Sequence, residues 1–189
     1  MDVHQRLKEN TQVYHQQIER TPLINQLMSA SISLEGYHAL LKAFHGYIQP
    51  CERAIINSSW ASLLGGREKM SRIASDFDDL KIVSLTNCQV LPPLNTREQI
   101  LGYLYVMEGA TLGGQIIAKI LQDKLGLTAQ YGARYFNGYG SDTMKMWVEF
   151  CHLINQINVL QERQVLGSAS MTYTTLIDWI NQSRIANEN

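Results

Sequence analysis

Two short stretches hold the residue types that could do chemistry. In LKENTQVYHQQIE, His15 stands beside the apolar face of a helical pattern, on one stripe with His4, Lys8, Thr11 and Glu19. Glu19 follows His15 by one helical turn. A carboxylate at that spacing can accept from the imidazole Nδ1–H, which fixes the tautomer and leaves Nε2 free to bind a metal. The other histidines have poorer settings. His38 and His45 lie two turns apart, His4 is close to the chain start, and His152 has only Glu149 nearby. Zinc-type spacings, a nucleophile elbow and a Cys/His signature are all missing.

The second stretch, LYVMEGATLGGQIIAK, runs from Leu104 to Lys119 inside a long helical pattern. Gly109, Gly113 and Gly114 fall in its middle. Each glycine in a helix interior forfeits about 0.5–1 kcal/mol against alanine. Gly102, Val106, Gly109, Gly113 and Ile117 are spaced 4, 3, 4 and 4, so they share one stripe. With the small Ala110 beside it, that stripe is almost bare. It suits either a close helix crossing or a flat ligand lying against the helix, and spacing alone leaves both open. A phosphate loop is ruled out because the G-K-[ST] ending is missing and no strand precedes it.

The elements that must position these stretches read as helices throughout. The spacing predicts a first helix over Val3–Arg20, with Leu7, Thr11, Tyr14 and Ile18 on its apolar face. Thr21-Pro22 ends it and opens a short helix. A long apolar helix follows from Tyr37 to about Asn57, with a kink expected at Pro50. Gly65-Gly66 is a turn, and Arg67–Val83 has helical spacing through Met70, Ile73, Phe77 and Leu80. Asn95 or Thr96 caps the glycine-bearing helix, which stops at Gly126. A Gly- and Tyr-rich loop, YGARYFNGYGSDT, leads to helices from about Asp142 to Ile157 and Gln161 to Arg184. The expected fold is all-α, a single domain over residues 1–189.

Composition narrows the function classes. Hydrophobic residues make up 45% and charged residues 17%, and the net charge is −1 with no basic stripe, which argues against nucleic-acid binding. Three scattered cysteines point to a reducing compartment. The polar start MDVHQRLKEN does not resemble a secretory signal, and no apolar run reaches the ~20 residues of a membrane span. A soluble cytoplasmic protein is expected.

The two stretches together resemble the heme oxygenase family, bacterial members above all. LKENTQVYHQQIE looks like the family's proximal helix, and LYVMEGATLGGQ looks like its glycine-rich distal helix. YFNGYGSDTMKMWVEFCHLIN is similar to the next segment in the branch associated with bacterial phytochromes. The resemblance covers roughly residues 5–180 in the expected order. It implies heme held between the first helix and a kinked glycine helix. It also implies oxidation by O2 and external electrons to biliverdin, CO and ferrous iron, with heme as substrate and cofactor. The electron donor would be a ferredoxin or flavoprotein reductase, and a bilin-binding photoreceptor would be a downstream user. By the same resemblance His15 is the iron ligand and Glu19 its orienting partner. Gly109, Gly113 and Gly114 form the distal wall, and Lys8 and Tyr105 contact the propionates.

Two departures from the family pattern stand out. Animal members carry an Asp after the first distal glycine, where this chain has Ala110. Ordered water there must then be held by Thr111, by backbone groups or by another helix. Trp147 and Cys151 occupy places where animal members have basic residues, with Lys145 and His152 nearby. Met171, Tyr173, Leu176, Trp179, Phe44, Tyr47 and Phe150 read as core first and pocket lining second. The bare Ala110 raises the alternative of a non-catalytic heme carrier or sensor on the same scaffold. A helical module that binds no heme is the remaining alternative.

Overall fold

Capping chemistry sets most of the helix ends in the computed structural model, which describes residues 2–83 and 86–187. Helix α1 (Val3–Glu19) starts where the Asp2 carboxylate accepts from the Gln5 N–H. Helix α2 (Pro22–Met28) places Pro22 at its first position, and α3 (Leu34–Ile56) starts where Ser33 Oγ accepts from the Gly36 N–H. Pro50 lies inside α3, whose helical span is uninterrupted. Helix α4 (Met70–Leu80) follows a 3-10 turn, Ala61–Leu64. Helix α5 (Arg97–Leu125) opens on a reciprocal cap between Thr96 and Gln99 and closes at Gly126, whose φ of +69° suits glycine. Helices α6 (Arg134–Asn137), α7 (Thr143–Ile154) and α8 (Val159–Asn187) complete the chain. Among the described residues there are no strands, only isolated bridges around Thr128.

The observed elements differ from the sequence reading at several ends, α3 starting at Leu34 and α7 stopping at Ile154, and most of all at α4 and α6. Helix α4 starts at Met70, not Arg67, because the Glu52 carboxylate accepts from the Lys69 and Met70 N–H groups at 2.5 and 3.3 Å and caps the helix there. It ends at Leu80, where Lys81 turns left-handed (φ +55°) and the Ile82 N–H returns to Phe77 O. The expected end at Val83 therefore lies beyond the helix. The Gly/Tyr-rich segment is more than a loop. It contains α6, whose first amides, Arg134 N–H and Tyr135 N–H, donate to the buried Asp76 carboxylate at 2.8 and 2.9 Å. Asp79 receives the Gly132 N–H at 2.9 Å and pairs with Arg134, so α4 holds α6 in place.

Helix α5 is the centre of the molecule, and its most extensive partner is α8. Residues Ile100 to Glu108 of α5 are all buried. The crossing with α8 is close because Gly102 has no side chain. A Cβ there would meet Val165 O at 2.5 Å and Ser168 Cβ at 2.6 Å. Helix α1 is fastened to α8 by Arg6, whose guanidinium donates to both Glu162 oxygens at 2.7 and 2.6 Å. Its apolar face is as read from the spacing: Leu7 and Thr11 are buried, and Tyr14 and Ile18 pack on the core.

Two histidines of α3 are carried as neutral groups. His45 is 6% exposed and stacks on Phe77 with ring centroids 5.0 Å apart. Burial lowers the pKa of both His38 and His45 below the usual 6.5. The unfolded chain therefore binds protons below pH ~6.5 that the folded chain resists, and stability falls as the pH drops through that value. Expected outcome: the loss of melting temperature between pH 7.5 and 5.5 shrinks in His45→Phe, as followed by circular dichroism. A second pair of variants probes the glycines of α5. Gly102→Ala should destabilise by about 1–3 kcal/mol through the α8 clash. Gly113→Ala, whose Cβ meets nothing within 4 Å, should stabilise the ligand-free protein by about 0.5–1 kcal/mol in denaturant titration.

Candidate functional site

Helices α1 and α5 form facing walls of one cleft, closed at its ends by α2, α6 and α8. It holds about 1010 Å3 of space, open mouth included. His15, Ile18 and Glu19 come from α1; Gly109, Ala110, Thr111, Gly113 and Gly114 come from α5. Met28, Phe44, Phe136 and Leu176 supply apolar surface around them. Met28 is 43% exposed, and Ala110 and Gly113 also stand open. An apolar cleft left open to water is a surface that a hydrophobic ligand would cover.

The glycine stripe divides into parts with different jobs. Gly102 serves the crossing with α8. Gly109 and Gly113 serve the cleft: a Cβ on Gly109 would lie 3.8 Å from the Trp147 ring, ordinary contact, and one on Gly113 would meet open space. Packing does not demand glycine at either position. Gly114 lines the cleft too, but there a side chain would collide with the Phe136 carbonyl of α6. The helix-crossing reading holds at Gly102, whereas Gly109 and Gly113 border the cleft with no packing reason for glycine.

On the opposite wall, His15 Nδ1 lies 3.4 Å from Glu19 Oε1, the i,i+4 pairing anticipated from spacing. The imidazole side chain is 57% exposed and meets Tyr173 edge-on, with ring centroids 6.5 Å apart. Tyr173 is in turn stacked on Tyr14. Among the described residues no three His, Cys, Asp or Glu side chains gather as a metal cage. A metal in this cleft would need to arrive with most of its ligands, leaving His15 as an axial donor.

Lys8 and Tyr105 are not in this cleft. They line an adjoining polar groove with Gln5, Thr11 and Gln12, and the groove shares His15, Glu19 and Tyr173 with the cleft. Burial raises the phenol pKa of Tyr105. Of the candidates read as core first, Phe44, Tyr173 and Leu176 line the cleft. Trp179 donates to Ala43 O at 2.8 Å, Tyr47 bonds to Thr172 O and Thr175, and Phe150 is buried in the core. Lys145 and His152 are exposed.

A group of buried charges behind the glycine wall was not anticipated. Glu108 is fully buried, and its Oε2 accepts from Arg67 Nη1 at 2.5 Å. Its Oε1 accepts from Lys69 Nζ at 2.5 Å and from the Tyr139 hydroxyl at 2.8 Å. Lys69 Nζ also donates to the Tyr139 hydroxyl at 2.8 Å, and Arg67 donates to Met146 O at 3.1 Å. Burial, together with the Glu108 charge, pushes the Tyr139 phenol well above its ordinary pKa, so it stays a neutral donor. The signal was present in the sequence: a lone acid in the apolar run ILGYLYVMEGA must find cationic partners if it is buried.

Comparison with known proteins agrees with this architecture. The heme oxygenase family model matches residues 83–182, more than half of the chain. A heme oxygenase of Xanthomonas campestris is 27% identical over 92 residues, 48% of this chain and 52% of that protein. This chain thus matches about half the length of that curated relative. Among solved structures, the NO- and CO-bound heme oxygenase of Neisseria meningitidis superposes with a TM-score of 0.79 at 20% identity, covering 97% of this chain and 92% of that one. The heme oxygenase of Leptospira interrogans gives 0.77 at 15% identity, covering 96% and 100%. Heme oxygenase-1 of Synechocystis, in complex with heme, gives 0.71 at 12% identity, covering 100% and 96%. Those structures share the all-α fold. The chain belongs to the heme oxygenase family.

Removing one partner of a buried ion group leaves the others uncompensated. Glu108→Ala should cost about 3–5 kcal/mol in guanidinium unfolding, because Arg67 and Lys69 stay buried without their anion. Arg6→Ala, which breaks a partly exposed pair, should cost far less than Glu108→Ala in the same titration.

Proposed function

We propose that this chain, as a single domain over residues 1–189, binds heme in the α1/α5 cleft and oxidises it to biliverdin, CO and ferrous iron. The observation that carries the reading is the pairing of walls. One presents an imidazole whose Nδ1 lies 3.4 Å from Glu19 Oε1; the other presents Gly109 and Gly113, bare where packing does not require it. The apolar lining, the bare glycine wall and a single histidine fit a planar group that brings its own four nitrogen ligands. Heme supplies the redox and oxygen chemistry when bound.

The chain's residues supply seating, orientation and access. His15 Nε2 is the donor to iron, and Glu19 keeps Nδ1 as the protonated nitrogen so that Nε2 stays free. Gly109, Gly113 and Gly114 would make the distal wall, with Gly109 and Gly113 leaving it bare of side chains and Gly114 admitting the Phe136 carbonyl of α6. Ala110 and Thr111 border the same half of the cleft. Thr111 Oγ1 donates to Glu108 O at 2.6 Å, so its proton is committed to its own helix and only its lone pairs face other partners. Lys8 and Tyr105, in the adjoining groove, hold the propionates by charge and by a hydroxyl donor. A ferredoxin- or flavoprotein-type reductase delivers the electrons in the cytoplasm. No helix among the described residues is long and apolar enough to cross a membrane.

Hemin titration should give a saturable Soret band, and with reductase and O2 that band should give way to bilin absorbance. Persistent heme with tight binding would identify a carrier instead, and a titration without saturation would remove the heme reading altogether. His15→Gly should lose axial ligation, and added imidazole should restore the spectrum. Glu19→Gln should weaken binding by about 10-fold.

A further inference from the structure

Position 110 carries only a methyl group, and Thr111 spends its proton on Glu108 O, so neither side chain donates into the distal half of the cleft. Another element does reach it. Lys69, from the segment before α4, lines the same cleft as Gly109, Ala110 and Thr111 while its residue is only 5% exposed. Its ammonium has three N–H donors. Two are accepted by Glu108 Oε1 and by the Tyr139 hydroxyl, at 2.5 and 2.8 Å. The third has no protein acceptor among the described residues. Lys69 is also held through its backbone, whose N–H donates to Glu52 at 2.5 Å.

We propose that Lys69, clamped by Glu108 and Tyr139, is the distal positioning residue of this protein, donating its third N–H to a water between itself and the bare stretch Gly109–Thr111. The inference rests on heme being the ligand of the cleft. Arg67 is the second cation on Glu108, which leaves Lys69 free to aim its remaining donor elsewhere. Arg72 lies over the Tyr139 ring, 4.7 Å from its centroid. Burial lowers the Lys69 pKa and the Glu108 charge opposes this. The Glu52 carboxylate also faces Lys69, so three cations, Arg67, Lys69 and Arg72, stand against two carboxylates, Glu52 and Glu108, behind the distal wall. Opposite charge favours the anionic form of whatever it faces. No covalent or redox step is asked of Lys69: it orients the water through a hydrogen bond and keeps its proton.

Tyr135 is the other polar side chain on this part of the lining. Its ring is packed between Phe44 and Phe136, and burial raises its phenol pKa. It offers a neutral donor without a charged clamp, and it serves as the control.

The test is the pH midpoint of the acid–alkaline transition in the visible spectrum of the ferric heme complex, read alongside hemin affinity. Lys69→Gln should raise the midpoint by about one pH unit, because a nearby cation is lost. Lys69→Arg should keep it near the wild-type value, and Tyr139→Phe, which loosens the clamp without removing charge, should raise it by less than Lys69→Gln. Tyr135→Phe should leave it in place. A wild-type-like midpoint in Lys69→Gln with hemin affinity intact overturns the proposal. Should Lys69→Gln fail to fold, Tyr139→Phe carries the test, and an unmoved midpoint there overturns it as well. If the wild-type protein gives no saturable Soret band, the heme reading has failed and this proposal goes with it. Retained heme binding separates the two failures.

Discussion

The Glu108 carboxylate has no access to solvent, and the surroundings of α5 are organised around that fact. A buried anion without partners would cost several kcal/mol, so two cations and a phenol must come to it. Arg67 and Lys69 do this from a segment that is not helical, and Tyr139 does it from the stretch beyond α6. The pairing joins three chain segments far apart in sequence at one point of one helix. It also requires Lys69 to sit where it borders the cleft. Structure and ligand site are therefore linked by one neutralisation.

The same interaction marks where sequence reading stops. Caps and stops are local chemistry: Ser33, Thr96 and Gly126 act on amides and carbonyls within a few residues, and they are legible. The face of α1 is legible for the same reason, since period and burial coincide at Leu7, Thr11, Tyr14 and Ile18. So is the His15–Glu19 pair, fixed by one turn of helix. Arg67 to Lys69 also fits a helical period, yet it is not helical. Glu52, on α3, takes the amides that a helix start leaves open, and Glu108 takes the side chains. Both partners are long-range, so spacing along the chain has no record of them. The α6 turn escaped for a similar reason: its first amides are satisfied by Asp76, from another helix.

Glycine is the residue whose meaning depends most on what stands opposite. Along one stripe of α5, Gly102 meets the backbone of α8, while Gly113 meets nothing within 4 Å. In sequence these two are equivalent by period and by type. One absence of a side chain lets two helices approach; the other leaves open space on the cleft wall. The placement of Lys8 and Tyr105 in a neighbouring groove is another matter of three-dimensional partition, because α1 contributes to both spaces from adjacent faces.

Three glycines within one helical turn and a half would weaken α5 by about 2–3 kcal/mol if it stood alone. The weak segment is held at both ends. Glu108, immediately before Gly109, is fixed by three polar contacts, to Arg67, Lys69 and Tyr139, and the last two are bonded to each other. Gly114, at the far end, lies against the Phe136 carbonyl, and α6 is itself tied to Asp76 and Asp79 of α4. Between these anchors the backbone at Gly109 to Gly113 can stay bare without drifting. A helix that must be both stripped of side chains and accurately placed needs its rigidity from neighbouring segments, and here the buried charge group and the α4–α6 contacts provide it.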